Sequence, residues 1–416
     1  MTHLMVEILV VWLVAILAGL PLFASMGLAA FAFVLLGGLA GSSVPQKMAQ
    51  AMNSFPLVAA PLFILMGNIL GAAQLTDRIV RFASSIVGAL RGGYAHASIL
   101  SSMIFAGMVG SAVADAAGTG AVEVRAMKKA GYRPETAAAI SAAAATIGPI
   151  IPPSLPMVIY GVSADVSIGR LFLAGVIPGV LMGLSLMTMV AIIAPRQGLP
   201  RLAFGGLSEV WRAFRESVWA LMAPVILLGG MFSGLFTPTE AAAVADLYAL
   251  FLGFAVYRTL RVKDLPAILI NTAETTGIVM VLVMAAGALG WCLSISRIPQ
   301  TLAPLIVATI HEPLVFLLVA NLILLVVGCF MEALAAMRFG IDPVQFGLIM
   351  IFNLILGTIH PPIGVVLFVM SRIADVTFEQ ISRAILPWLV PLLVVLLAIT
   401  VWPALTLWLP ALIMNK

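Results

Sequence analysis

Two proline pairs interrupt apolar runs: Gly148-Pro149-Ile-Ile-Pro152-Pro153 and Gly357-Thr358-Ile-His360-Pro361-Pro362. Proline has no backbone N–H and drives the residue before it out of helical geometry. In a continuous helix, residues 152 and 153 would bond the carbonyls of Gly148 and Pro149, and residues 361 and 362 those of Gly357 and Thr358. All four carbonyls lose that partner. In a bilayer an unpaired carbonyl costs on the order of several kcal/mol unless the bond is replaced. A sodium ion, which takes oxygen ligands, is one replacement. A hydroxyl from Ser or Thr relieving a plain proline kink is the structural alternative. Ser154 and Gly364 each open a new helix, whose free N–H groups and positive dipole end suit a carboxylate. Asp115 and Glu332 are acids in apolar surroundings, the first in the small-residue stretch Gly107 to Gly120, the second after Gly328-Cys-Phe-Met. Intramembrane acids are costly and mark sites more often than not, although Asp115 could also cap a local helix. His360 adjoins the second break; His3, His96 and His311 stand at no metal or triad spacing.

The elements that must carry these residues follow from composition. Of 416 residues 62% are apolar and 9% charged, and the mean hydropathy is +1.18. A soluble domain is ~25% charged, so a soluble enzyme, a nucleic-acid binder and a disordered chain are excluded. The apolar runs are long and continuous, which argues for helices over a β-barrel. Spans are expected at 3–21, 22–40, 55–73, 135–161, 171–194, 217–236, 238–257, 266–292, 343–370 and 385–412. With the N-terminus outside, 16 of the 21 Lys and Arg residues fall inside.

Basic clusters flank residues 94–123 on both sides, with Arg78, Arg81 and Arg91 before and Arg125, Lys128 and Lys129 after. A single crossing would strand one cluster outside. A re-entrant hairpin keeps both inside, its arms too short to cross a ~30 Å core and its Gly-rich tip buried in protein. A second such hairpin is expected at 313–339. Residues 195–216, with Arg201, Trp211, Arg212, Phe214 and Arg215, read as an interfacial amphipathic helix. Thr237-Pro-Thr-Glu240 reads as a helix-capping box rather than an ion site. Gly175, Gly179 and Gly183 form a stripe suited to helix packing. Asp246 and Glu274 are further acids in apolar runs with no assigned partner.

The two breaks belong to a repeat. Gly131-Tyr-Arg-Pro134 is matched by Gly340-Ile-Asp-Pro343, and the spacing from each Gly to its Gly148 or Gly357 and its Pro152 or Pro361 is identical. The expected topology gives the two copies opposite directions. The chain therefore reads as 1–194, a first half; 195–216, a linker; and 217–416, an inverted second half. Inverted repeats with broken helices characterise secondary transporters.

The chain resembles the large membrane subunit of the tripartite ATP-independent periplasmic (TRAP) transporters from end to end. The stretches that carry the resemblance are Phe55-Pro56, Pro61-Leu-Phe-Ile-Leu-Met-Gly67-Asn68, Gly110-Ser111-Ala-Val-Ala-Asp115, Gly148 to Ser154, Thr237-Pro-Thr-Glu-Ala-Ala-Ala243, Gly328-Cys-Phe-Met331 and Pro361-Pro-Ile-Gly364. The resemblance implies an all-α polytopic protein of the ion-transporter superfamily, with about ten spans, two re-entrant hairpins and two broken helices in a moving domain. It implies no enzyme activity, no resident cofactor, and Na⁺-coupled uptake of a small organic acid by an elevator motion in the bacterial inner membrane. The expected partners are a small four-helix membrane subunit, a periplasmic solute-binding protein and the bilayer; no nucleic acid is expected. Ser111, Asp115, Gly148, Pro149, Glu332, Gly357 and Thr358 are then the expected Na⁺ positions, and Ser154, Asn353, Gly364 and His360 the expected substrate positions. Glu332 stands where the family usually has Asp, His360 where Thr is usual, and Ala144 and Ala145 where Ser is frequent. Glu332 to Gly340 spans half the separation of Asp115 to Gly131, so the second return arm is short. Two other readings remain at this stage: a stand-alone Na⁺/anion symporter, and a transport-inactive assembly subunit.

Overall fold

The computed structural model describes residues 1–73, 75–203, 205–298, 301, 312–327, 340–361 and 364–414. The described residues form helices and connecting turns, without strands. In chain order the helices are α1 (Thr2–Leu17), α2 (Leu22–Leu36), α3 (Ser43–Met52), α4 (Ala59–Ala72), α5 (Leu75–Val87), α6 (Gly93–Val109), α7 (Ala112–Asp115) and α8 (Ala121–Lys129). There follow α9 (Pro134–Ala145), α10 (Leu155–Ser163), α11 (Ile168–Gln197), α12 (Gly206–Phe232), α13 (Pro238–Phe251) and α14 (Leu265–Ser296). The last are α15 (Pro313–Val327), α16 (Pro343–Gly357), α17 (Val365–Ala374), α18 (Phe378–Val401) and α19 (Ala404–Met414).

Among the described residues, six helical segments are long and apolar enough to cross a bilayer: Phe55–Ala72, Ile168–Gln197, Gly206–Phe232, Pro238–Val256, Val262–Ser296 and Phe378–Val401. The remaining apolar helices are shorter, and several are arms or halves of interrupted elements. The expected span 385–412 is corrected. Trp402, pushed to φ −115° and ψ 91° ahead of Pro403, ends α18, and α19 is a separate helix. The expected interfacial helix 195–216 is also divided. Its first residues finish α11, and Gly206 onward begins α12, which runs unbroken into the span. Trp211 stacks on Phe214 there, with ring centroids 5.6 Å apart.

Two cores and a small cluster of Leu57, Ala60 and Met280 hold the described residues together. The larger gathers α4 to α11, α13, α16, α17 and α18 around buried Phe63, Phe172, Phe346 and Trp388. The smaller joins α1, α2 and the end of α14 around Trp12, Phe33 and Leu289. Short α3, which the hydropathy pattern did not announce, lies along α14, with the Lys47 ammonium 5.7 Å from the Trp291 ring. The capping box is present as read: the Glu240 carboxylate accepts from the Thr237 N–H at 2.8 Å, and Thr237 accepts from the Glu240 N–H at 3.3 Å.

Candidate functional site

The first interrupted helix is α9, a turn over residues 146–153, and α10. Its Ala-rich first half is buried from Ala137 to Ala145, and the small side chains there let neighbouring backbones approach. Gly175 and Gly179 of α11 lie against the turn; a Cβ on Gly175 would stand 2.3 Å from the Ile150 carbonyl, and one on Gly179 would stand 2.3 Å from the Ile151 side chain. Gly183 faces Met103 of α6 in the same way. The glycine stripe thus serves close packing, as its spacing suggested.

At the break itself, Ser154 is fully buried. Its hydroxyl donates to the Pro149 carbonyl at 2.5 Å and accepts from the Met157 N–H at 3.4 Å, capping α10. One of the carbonyls freed by the prolines, that of Pro149, therefore accepts from a hydroxyl with one of its two lone pairs. Ser154 stands at the start of α10, where Pro156 lacks an N–H and the Met157 N–H is taken by the Ser154 hydroxyl.

The tip of the first hairpin is seated on this break. Gly110, at φ +61°, ends α6 in the left-handed region that favours glycine. A Cβ on Gly110 would lie 2.4 Å from the Pro153 carbonyl oxygen and 3.3 Å from Ser154 Cα. Ser111 caps α7, accepting from the Ala114 N–H at 3.4 Å, and its peptide carbonyl lies 3.7 Å from where a Gly148 Cβ would be. The structure thus brings Ser111, Gly148, Pro149 and Ser154 together, from segments far apart in sequence.

Asp115 closes α7 and is buried, with 1% of its surface exposed. Neither carboxylate oxygen has a hydrogen-bond partner; the Ser102 and Thr119 hydroxyls face it outside bonding geometry. A five-residue π turn, Ala116–Gly120, follows before α8. A second buried acid, Glu123, lies on α8 among the Ser98, Ser101 and Ser141 hydroxyls. Sequence reasoning did not single it out. The available signal was Ser98 and Ser101 at i,i+3 on an apolar helix, with Ser141 alone in a run of alanines.

The second interrupted helix is α16, a turn, and α17. The Thr358 carbonyl accepts from the Val366 N–H at 2.9 Å, and the Thr358 hydroxyl donates to the Ile355 carbonyl at 2.6 Å. This backbone bond across the turn takes up one of the two lone pairs of the carbonyl that the prolines free. Gly357 has nothing within 4 Å of a Cβ position. Gly364, at φ +36°, precedes α17, and a Cβ there would lie 3.4 Å from the His360 carbonyl. His360 itself is exposed. Asn353 is fully buried one turn before the break, its amide donating to Asn321 Oδ1 at 2.6 Å and to the Ile349 carbonyl at 2.8 Å. Asn321 in turn donates to Thr400 at 2.9 Å. This network joins α15, α16 and α18 and leaves Asn353 Oδ1 without a partner. Glu332, Pro362 and the return arm of the second hairpin lie outside the described residues.

The two interrupted helices run antiparallel. The Tyr160 hydroxyl of α10 donates to the Pro343 carbonyl at the start of α16, 2.9 Å away, and Arg170 pairs with Asp342 at 3.5 Å. At the other end α17 packs on α9 and α8, and Lys128 donates to the Ala374 carbonyl at 2.9 Å. Asp246 is buried on α13, which packs on α4 and α12, while Glu274 is exposed on α14; neither joins the site. No group of three or more His, Cys, Asp or Glu side chains fit to hold a metal occurs among the described residues. The oxygen atoms gathered here belong chiefly to backbone carbonyls and hydroxyls, which suits reversible binding and offers no nucleophile–base pair.

Comparison with known proteins supplies the family. Residues 9–405 match the family "Tripartite ATP-independent periplasmic transporter, DctM component". The chain is 42% identical to the sialic acid TRAP transporter large permease protein SiaM of Vibrio cholerae, over 97% of this chain and 98% of that protein. It is 38% identical to the C4-dicarboxylate TRAP transporter large permease protein DctM of Pseudomonas aeruginosa, over 88% of this chain and 89% of that protein. Among solved structures, the YdaH transporter of Alcanivorax borkumensis has the same fold at a TM-score of 0.59 and 16% identity, covering 86% of this chain and 87% of that one. A multi-pass helical protein with an end-to-end match of this kind belongs to the large permease subunits of the TRAP transporters, a non-enzymatic transport family.

Proposed function

We propose that this subunit imports a small organic acid by Na⁺-coupled secondary transport across the bacterial inner membrane. The observation that carries the reading is the hairpin tip at Gly110–Ser111 seated on the broken helix at Gly148 and Pro153. There Ser111, Gly148 and Asp115 supply oxygen atoms for a cation, and the start of α10 turns its positive dipole end to a carboxylate. The matched spacing of the two halves and the antiparallel run of the interrupted helices support an inverted repeat whose hairpins and broken helices move as an elevator. The substrate class is a carboxylate, of the sugar-acid kind named for the Vibrio cholerae relative or the dicarboxylate kind named for the Pseudomonas aeruginosa relative. A small membrane subunit and a periplasmic binding protein complete the assembly.

The test is uptake into proteoliposomes holding this chain and its small subunit, with the binding protein outside. Sialic acid and C4-dicarboxylates are offered under an inward Na⁺ gradient. Saturable uptake of one acid class that needs both Na⁺ and the binding protein is expected. Uptake at the same rate with K⁺ replacing Na⁺ would refute the coupling, and uptake without the binding protein would refute the tripartite assembly.

A further inference from the structure

Glu274 stands exposed on α14, within a segment long and apolar enough to cross the bilayer. Its depth follows from the neighbouring α4, which lies along α14 in the opposite direction. Leu57 and Ala60 pack on Met280, and the Asn68 amide donates to the Thr272 hydroxyl at 2.9 Å. In that register Glu274 is level with Met66 of α4, about 9 Å of helix short of Ala72, where α4 ends. Arg78 and Arg81 come after it, in α5. Exposed Leu269 and Ile270 lie on one side of the carboxylate along the helix, and exposed Ile278 and Val281 on the other. An acid flanked in this way lies inside the apolar band, farther from either surface than its side chain can reach.

The face around the acid is polar as well. Asn271, Glu274, Thr275 and Ile278 follow at i, i+3, i+4 and i+7, so they share one stripe, and all four are exposed. Thr272, which meets α4, is about 200° round the helix from Glu274, so the stripe points away from the bundle. Among the described residues no ion pair reaches Glu274. The helices packed along α14 are α1 to α4. The base they bring is Lys47, turned to Trp291 at the other end of α14, and Lys263 precedes α14 by about 16 Å of helix from Glu274. Acyl chains offer a carboxylate no donor and an amide no partner, so protein must cover this stripe. A two-fold pairing of this chain through the stripe would gather two Glu274 carboxylates, like charge against like. The complement is a membrane helix that carries a Lys or Arg opposite Glu274. A Cβ on Gly277 would meet nothing within 4 Å, and Ala273, four residues earlier, is exposed too, so the backbone of such a helix can come close.

On the tripartite reading, we propose that the stripe Asn271, Glu274, Thr275 and Ile278 of α14 is the docking face for the small membrane subunit, one of whose helices presents a lysine or arginine to Glu274 inside the bilayer. The charge pair fixes the depth and rotation of the partner helix, which apolar packing against lipid-like side chains would leave free.

A photo-reactive benzophenone side chain is placed at Asn271, Thr275 or Ile278 of the full chain, which is co-expressed with its small subunit and illuminated in native membranes. The expected product is a cross-link to the small subunit, whose attached peptide, read by mass spectrometry, carries a Lys or Arg within a helical turn. These variants keep the acid and carry the test should its replacement prevent insertion. Glu274→Lys sets like charges together and is expected to speed loss of the small subunit in mild detergent by about tenfold or more, with Glu274→Gln in between. Photoproducts with lipid alone, or with a second copy of this chain, would overturn the docking face, while a wild-type pair that still co-purifies would leave the tripartite reading standing. Attachment to a helix without a base, or a Glu274→Lys complex as durable as the wild type, would overturn the charge pairing. A wild-type chain that retains no small subunit would overturn both the docking face and the tripartite reading.

Discussion

Replacing Gly110 with alanine tests the seating of the hairpin tip in two separable steps. The residue lies at φ +61°, where an L side chain costs ~1–2 kcal/mol. The added Cβ would also stand 2.4 Å from the Pro153 carbonyl oxygen and 3.3 Å from Ser154 Cα, closer than any real Cβ contact in the first case. Both neighbours are backbone and cannot rotate away, so the tip must lift from the break. Overpacking of this kind costs ~1–3 kcal/mol. The conformational part weighs on the fold in every state, whereas the clash weighs on the seated tip alone. If cation binding needs the seated tip, the clash lowers the apparent Na⁺ affinity by about 5- to 150-fold. Two controls divide these effects. Gly19→Ala carries the strain of φ +91° with open space around the Cβ, and Gly118→Ala has open space at an ordinary φ. The assay is the Na⁺ dependence of uptake in proteoliposomes, with thermal unfolding in detergent run beside it. Gly19→Ala is expected to lower stability without moving Na⁺ affinity, and Gly118→Ala to leave both in place. A Gly110→Ala protein with the Na⁺ affinity of the Gly118→Ala control would refute the argument that tip seating builds the site.

Ser154→Ala removes both the donation to Pro149 and the cap on α10, and is expected to cost ~0.5–2 kcal/mol in thermal unfolding; an unchanged midpoint would show the cap to be idle. Lys128→Met leaves the C-terminus of α17 without its cation, and faster amide exchange over 371–376 is expected from a loss of ~0.3–1 kcal/mol. Gly175→Ala should destabilise more than Gly183→Ala, because the first meets the Ile150 carbonyl and the second meets the flexible Met103 side chain; comparative melting reads the order. Arg81→Ala breaks a 2.7 Å pair with Glu216 whose arginine is largely exposed, so a change below ~1 kcal/mol is expected in the same measurement.

The two interruptions were legible because proline removes a donor wherever it stands, and Pro152–Pro153 and Pro361–Pro362 therefore mark breaks without knowledge of the fold. What fills the vacated bonds was not legible. Ser154 is close enough in sequence to have been weighed as relief for Pro149, yet Val366 reaching back to Thr358 depends on the path of the turn. The capping box at Thr237 was readable since it is local. The cage around Glu123 was not, because its hydroxyls come from α6 and α9 and meet only when the hairpin packs on the broken helix. The end of α18 at Trp402 could have been placed from Pro403, but continuous hydropathy through residues 385–412 masked it.

The bonds at the two ends of the antiparallel pair have a consequence for biogenesis. Tyr160 meets Pro343 across 183 residues, and Lys128 meets Ala374 across 246. When the first half leaves the ribosome, the phenol and the ammonium have no carbonyl to meet. The first broken helix and its hairpin must wait in the bilayer as an open cradle until the segment from Asp342 to Ala374 is inserted beside them. Contacts this distant in sequence form late and close slowly. The core around the hairpin is thus completed after most of the chain has been translated, and a polypeptide ended before Asp342 would leave the Tyr160 hydroxyl and the Lys128 ammonium without these partners.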